Sequence, residues 1–187
     1  MHITVLGLGN TLFSDEGVGM HVLPLLEEAL RAAYGKRADL TVEVIEGGTD
    51  GLRLIVPVED AENLIVVDAV EARKPPGTVL VIEGEENIPV YYGVRLSAHE
   101  IGLPEILFGA KIRGRLPKRV ALVGVQPASL EVGLELTDTV RAKLPEVVEA
   151  VLGLVEKWVR EELGEGTAER TEEDVRPPPE GWARGQR

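Results

Sequence analysis

At 187 residues the chain is long enough for one domain with a sizeable core and too short for two comfortable ones. Apolar residues make up 44% but aromatics only 4%, so Val, Leu, Ile and Ala must fill that core. A formal charge of -12 repels phosphate backbones and argues against nucleic acid as a partner. No apolar run is long enough to span a bilayer. The absence of Cys removes thiolate metal sites, disulfides and Cys nucleophiles together. With an N-terminus that enters a strand directly instead of a signal core, it predicts a cytoplasmic protein.

In chain order, "ITVLGLG" reads as a buried strand, and residues 15 to 34 as a helix in spite of Pro24. "LTVEVIEGG" alternates and stops at two glycines, a strand with a turn after it; "DGLRLIVPV" predicts a short helix. "NLIVVDAV" is a continuous apolar run closed by Asp68, the pattern of a central parallel strand covered on both faces. The turn signal "EARKPPG" separates it from the strand "TVLVIE". "SAHE" has the spacing of a capping box, Ser97 as N-cap and Glu100 three residues on, opening a helix to about residue 113. "RVALVGV" is a further strand, ended by Gln126 and Pro127. The last helix, roughly 145 to 163, aligns Val147, Val151, Val155 and Val159, with Trp158 beside them, as an amphipathic helix packed on a sheet does. After Gly164 little remains to bury, so residues 164–187 read as a disordered tail behind a single domain of residues 1–163. Strands alternating with helices define the class as α/β.

The stretch "GLGNTLFSDEGVG" carries the functional question. A dinucleotide fingerprint needs a small third residue where Leu12 stands and a helix that begins at once, and Asp15 and Glu16 repel a pyrophosphate. A Walker loop needs a Gly-Lys-Ser/Thr ending, which is missing. The plain structural alternative is an N-cap by Ser14 or Asp15, with acids complementing the helix dipole.

The sheet favours a site instead. In a parallel α/β sheet ligands gather at the carboxyl ends of the strands. Glu16 lies just past the first strand, Asp68 ends the central one, and His99 stands in the first turn of a predicted helix. Two carboxylates and an imidazole suit a divalent metal with open positions for water or substrate. Each has an ordinary explanation too: a surface or capping His, an Asp that caps a turn. His2, at the opposite end of the first strand, and His21, on the helix body, are poorer candidates.

"VLGLGNTLFSDEGVG", "EGGTDGLRL", "LIVVDAV", "SAHEIGLPEIL" and "VALVGVQP" occur in an order and spacing that resemble the hydrogenase maturation endopeptidases, over about residues 3 to 160. That resemblance implies a three-layer sandwich, a twisted and mostly parallel central sheet with helices on both faces. It implies an enzyme that trims a C-terminal extension from the large-subunit precursor of nickel–iron hydrogenases. It also implies Glu16, Asp68 and His99 as catalytic metal-binding residues, the metal being the nickel already held by the precursor or a metal of the enzyme's own. The glycine-pair motif often begins with Asp in that family; here it begins with Glu46, followed by Gly47, Gly48 and Thr49, a pair fitted to a tight turn with a close backbone approach. A non-catalytic checkpoint or chaperone binding the same precursor carries the same residues. A peptidyl-tRNA hydrolase, which also starts with "GLGN", lacks support in the acidic composition. The basic stretch "KIRGRLPKR" suits either an acidic partner or a solvated loop.

Overall fold

The computed structural model describes residues 1–88 and 102–163. Strands β1 (His2–Leu8), β2 (Thr41–Gly48), β3 (Asn63–Ala69), β4 (Val79–Glu83) and β5 (Arg119–Val125) form one sheet in the order β2-β1-β3-β5-β4. β2, β1, β3 and β5 run parallel, and β4 is an antiparallel edge strand on β5. The helices are α1 (Val18–His21), α2 (Leu23–Tyr34), α3 (Ile55–Asp60), α4 (Leu103–Ile112), α5 (Asp138–Arg141) and α6 (Leu144–Leu163). Met1–Val155 make one compact unit; the second, from Glu156, is described only over the last turns of α6.

Both faces of the sheet are apolar because both are covered. On one face Leu6, Leu64, Val66, Val120 and Leu122 pack with Val58 of α3 and Leu103, Ile106, Leu107 and Ala110 of α4. Ile3, Val5, Ile65, Val67, Ala121 and Val123, which alternate with them, are equally buried and form the opposite face. Gly7 belongs to that second set, and a side chain there collides with the Gly19 carbonyl oxygen of α1 and with Leu23 of α2. Helices therefore lie on both faces of a mostly parallel sheet, as the resemblance implies.

Several boundaries differ from the sequence expectations. Residues 15 to 34 are a 3₁₀ turn (Ser14–Gly17), then α1, then α2, with a break at Val22. Pro24 causes the break: it lacks an N–H and sits in the first turn of α2, the one place a helix accepts it. β2 runs through both glycines of its motif, with a bulge that leaves Gly47 between the Gly7–Glu46 and Leu8–Gly48 pairs. The close approach at Gly47 is to β1, where a side chain meets Leu6, Leu8 and the Gly7 carbonyl. Gly48 makes the turn, at φ +51°, and Glu46 is exposed. The helix expected from Ser97 is seen as α4, whose first free N–H, that of Gly102, donates to Glu105 at 3.0 Å; Ser97 and Glu100 lie outside the described residues. In α6 the expected stripe of Val147, Val151, Val155 and Val159 is buried; the tail from residue 164 lies outside the described residues.

The basic stretch is matched largely by the chain's own acids. Lys111 pairs with Glu85, Arg113 with Glu59 at 2.9 Å, Arg115 with Asp60 at 3.1 Å and Lys118 with Glu62 at 2.6 Å. The Lys118 ammonium, with the His2 N–H, holds the Glu62 carboxyl below its ordinary range.

One contact ties the helix layer to the strand ends. A side chain at Gly19 meets the carbonyl oxygens of Leu8 and Val67 at 2.2 and 2.3 Å, so α1 rests directly on the ends of β1 and β3. Gly153 in α6 has nothing within 4 Å of that position. Gly19→Ala is therefore expected to cost about 2–3 kcal/mol by forcing backbone apart. Gly153→Ala is expected to gain roughly 0.5–1 kcal/mol from helix propensity alone, both read by denaturant unfolding.

Candidate active site

The strand order reverses at β1: the chain leaves β1 for β2 on one side and comes back to β3 on the other. Such a reversal opens a crevice between the carboxyl ends of the two strands, where α/β proteins bind their ligands. Glu16 stands in the 3₁₀ turn after β1, and Asp68 is the penultimate residue of β3. That turn packs against β3, so the two predicted carboxylates are brought to one edge of the sheet. Glu16 is half-buried, with Oε2 shut off from solvent. Asp68 is also half-buried, and its Oδ1 accepts the Ala69 N–H at 2.8 Å. His99 lies outside the described residues. Among the described residues no group of three or more His, Asp and Glu side chains is placed to hold a metal ion. His2 stands at the far end of β1, and the His21 ring lies 3.2 Å from the position a side chain on Gly17 would take.

Asp15, not predicted as a site residue, organises this edge. It is 0% exposed, yet it caps no helix: the 3₁₀ turn and α1 have no side-chain cap. Its Oδ2 accepts the N–H groups of Ala128 at 2.9 Å and Ser129 at 3.0 Å, and its Oδ1 accepts that of Thr137 at 2.7 Å. The Thr137 hydroxyl also donates to the carboxylate, at 2.8 Å to Oδ2, while accepting the Val140 N–H that opens α5. A buried carboxylate is tolerable only when surrounded by donors in this way. The result is a clamp between the loop after β1 and the loop after β5.

The same two loops are zipped by backbone. Ser14 N–H donates to Gly133 O at 2.8 Å, Gly133 N–H to Leu12 O at 2.9 Å, and Asp15 N–H to Ser129 O at 3.3 Å. Ser14, the other expected cap, instead gives its hydroxyl to Glu135 O at 2.9 Å. It does so at φ +48°, a left-handed conformation uncommon for a residue with a side chain and held here by those bonds. Gly9, at φ +127°, lets the loop fold back until a side chain there would strike the Glu16 carbonyl oxygen at 1.9 Å. On the other flank the nearly buried Gln126 accepts the Ala72 N–H at 2.9 Å and donates to Glu71 at 3.2 Å, fastening the loop after β3. Glu16 thus projects from a loop that is fixed on both sides. The sequence signal for this clamp was an Asp directly before the candidate Glu, but its partners lie more than a hundred residues away.

The model of the hydrogenase maturation protease family HycI matches residues 24–154. The chain belongs to the hydrogenase maturation protease family. It is 36% identical over 154 residues to the hydrogenase 2 maturation protease of Escherichia coli K12, covering 81% of this chain and 89% of that one. It is 40% identical over 172 residues to the hydrogenase expression/formation protein HupM of Azotobacter chroococcum, covering 90% and 79%. Its fold is similar to that of the hydrogenase maturating endopeptidase HybD from E. coli, with a TM-score of 0.72 at 35% identity over 84% of this chain and 94% of that one. This family membership makes the chain an endopeptidase.

Removing the Asp15 carboxylate leaves three N–H groups and a hydroxyl facing a void. Asp15→Ala is expected to lose about 3–5 kcal/mol, as for other buried charges stripped of a partner. Glu16→Gln, on the half-buried neighbour, should stay within about 1 kcal/mol of wild type. Equal losses in thermal unfolding would contradict the separation of roles.

Proposed function

We propose that this endopeptidase removes the C-terminal extension of a nickel–iron hydrogenase large-subunit precursor after nickel has been inserted. The observation that carries the reading is the position of Glu16 and Asp68 at the two strand ends where the sheet order reverses, in a chain of this protease family. Nickel enters as part of the substrate. Two carboxylates joined by an imidazole form a donor set of borderline softness that suits such a divalent ion, and Glu16, Asp68 and His99 are the residues that would hold it. Held by these three side chains, a metal ion would supply Lewis-acid polarisation of a carbonyl or a water.

The chain's own contribution is positional. The Asp15 clamp and the Gln126 contacts fix the loops around the crevice, so Glu16 need not be ordered when the precursor arrives. A half-buried carboxylate on such a loop can accept a proton from an attacking water and return it to the leaving amine. Asp68, on the end of a central strand and bonded to the Ala69 N–H, is suited to orientation. No helix among the described residues is long and apolar enough to cross a membrane, and the acidic composition suits a polypeptide partner better than a nucleic acid.

Purified protein mixed with nickel-loaded and nickel-free precursor, followed by intact mass spectrometry, tests the reading. Release of a C-terminal peptide from loaded precursor only is expected, with Glu16→Gln and His99→Ala each reducing the rate at least about a hundredfold. Intact precursor in every mixture, with binding retained, would replace the protease reading by that of a checkpoint protein.

A further inference from the structure

Strand β2 is the edge of the sheet on the β1 side, and no described strand pairs with its outer side. The Thr41 N–H donates to the Met1 carbonyl at 3.0 Å. Alternation along a parallel ladder therefore gives Thr41, Glu43 and Ile45 to β1 and turns the N–H and C=O groups of Val42 and Val44 outward. Such edges are normally blunted by lysine, proline or a bulge. From Thr41 to Glu46 there is none of these, and the bulge comes only at Gly47. Beside this edge runs a groove of about 340 Å³, walled by Leu30, Arg31 and Tyr34 of α2 and by Val42 and Val44. The register Ile3–Val42 and Val5–Val44 puts both valine side chains on the face that α2 covers, where they are half-buried. The groove thus offers a row of backbone donors and acceptors above an apolar floor. An extended polypeptide uses both, bonding through its backbone and placing every second side chain in the groove.

We propose that the C-terminal extension of the precursor docks on this edge as an added strand, antiparallel to β2, where it leaves the candidate site. The proposal rests on the protease reading and adds to it the surface that holds the extension. Occupant and direction follow from continuity with that site. β2 runs toward it and ends at Gly48, whose carbonyl accepts the Gly9 N–H at 3.0 Å from the loop that carries Glu16. A strand added to β2 lies about 10 Å from β1, and Val44 is roughly 13 Å from Gly48 along the strand. About four or five extended residues beyond the cut span that length. In the protease reading those residues are a chain end, which can lie along an edge without unfolding anything else. β2 is already ordered by β1, so binding orders only the extension, which favours affinity. The opposite edge, β4, is the control: Gly84 N–H donates to Val120 O and Gln126 N–H to Thr78 O, so the Val81 N–H faces outward there.

The test is amide hydrogen exchange, read residue by residue, in full-length Glu16→Gln mixed with nickel-loaded precursor. A precursor shortened by its C-terminal extension is run beside it. The complete precursor is expected to slow exchange at Val42 and Val44 by about tenfold or more, with Val81 unchanged, and the shortened one to leave all three at their free rates. In the cutting enzyme, Val44→Pro removes one outward N–H and no bond to β1, a change that an edge strand tolerates. It is expected to raise KM about tenfold with kcat within about twofold, the signature of lost uniform binding, while Val81→Pro stays at wild type. Tyr34→Ala alters the groove with β2 intact and is expected to raise KM in the same way, which decides the kinetics if Val44→Pro does not fold. Unchanged exchange at Val42 and Val44 in the bound state, with wild type cutting normally, overturns the added strand and leaves the protease reading standing. Equal protection by the shortened precursor, or at Val81, also overturns it. Protection that needs no precursor and grows with protein concentration assigns the edge to a second copy of the chain instead. If wild type binds precursor without cutting, the protease reading fails and the exchange result alone decides the edge. Absence of binding overturns both.

Discussion

A single buried carboxylate holds the working edge of this molecule together. Asp15 is fully enclosed and accepts from three backbone N–H groups and one hydroxyl of the segment 128–137. Those donors belong to a loop outside the sheet, which runs from the end of β5 to α5 and is tied to the loop after β1 by backbone bonds and the Ser14 hydroxyl as well. Without a negative charge in their midst, their N–H groups must find water, and the loop loses its registration on β1. With it, the turn holding Glu16, the backbone bonds at Ser14 and Gly133 and the Thr137 cap of α5 are joined through one side chain. The strained Ser14 conformation is a consequence, sustained because bonds on either side leave it no cheaper arrangement.

The sheet supplies what this clamp acts upon. Four parallel strands packed on both faces make a rigid floor, and the reversal of order at β1 opens it at one place. Gly19 allows α1 to sit on the carbonyls of Leu8 and Val67, which brings the turn bearing Glu16 up to β3 and Asp68. Chemistry that depends on a polypeptide chain being held against two carboxylates needs this division: an immobile floor and loops whose positions are decided before the substrate arrives. The proteolytic family to which the chain belongs is consistent with that arrangement.

What the sequence made legible follows from which signals are local. "NLIVVDAV" and "RVALVGV" announce buried parallel strands because both faces need apolar side chains, and Asp68 stands out as the first charge after such a run. Glu16 and Asp68 could be placed at strand ends on the same grounds. The break at Val22 was hidden because Pro24 is compatible both with a kink and with the first turn of a new helix. Asp15 read as a cap because acids before a helix usually are; its real partners, Ala128, Ser129 and Thr137, are distant in sequence and offer mostly backbone, which no residue type advertises. The basic stretch 111–119 likewise gave no sign that Glu59, Asp60, Glu62 and Glu85 would meet it.

Native-state hydrogen exchange in an Asp15→Asn variant is the most direct measurement of the clamp. An amide replaces one acceptor oxygen by a donor and keeps the volume, so the effect is one of bonding and not of packing. Faster exchange at the amides of Ala128, Ser129 and Thr137, by about tenfold or more, with Val66 and Leu122 in the sheet still protected, is the predicted result. Protection at those three amides equal to wild type would contradict the account, because the loops would then be held by something other than Asp15.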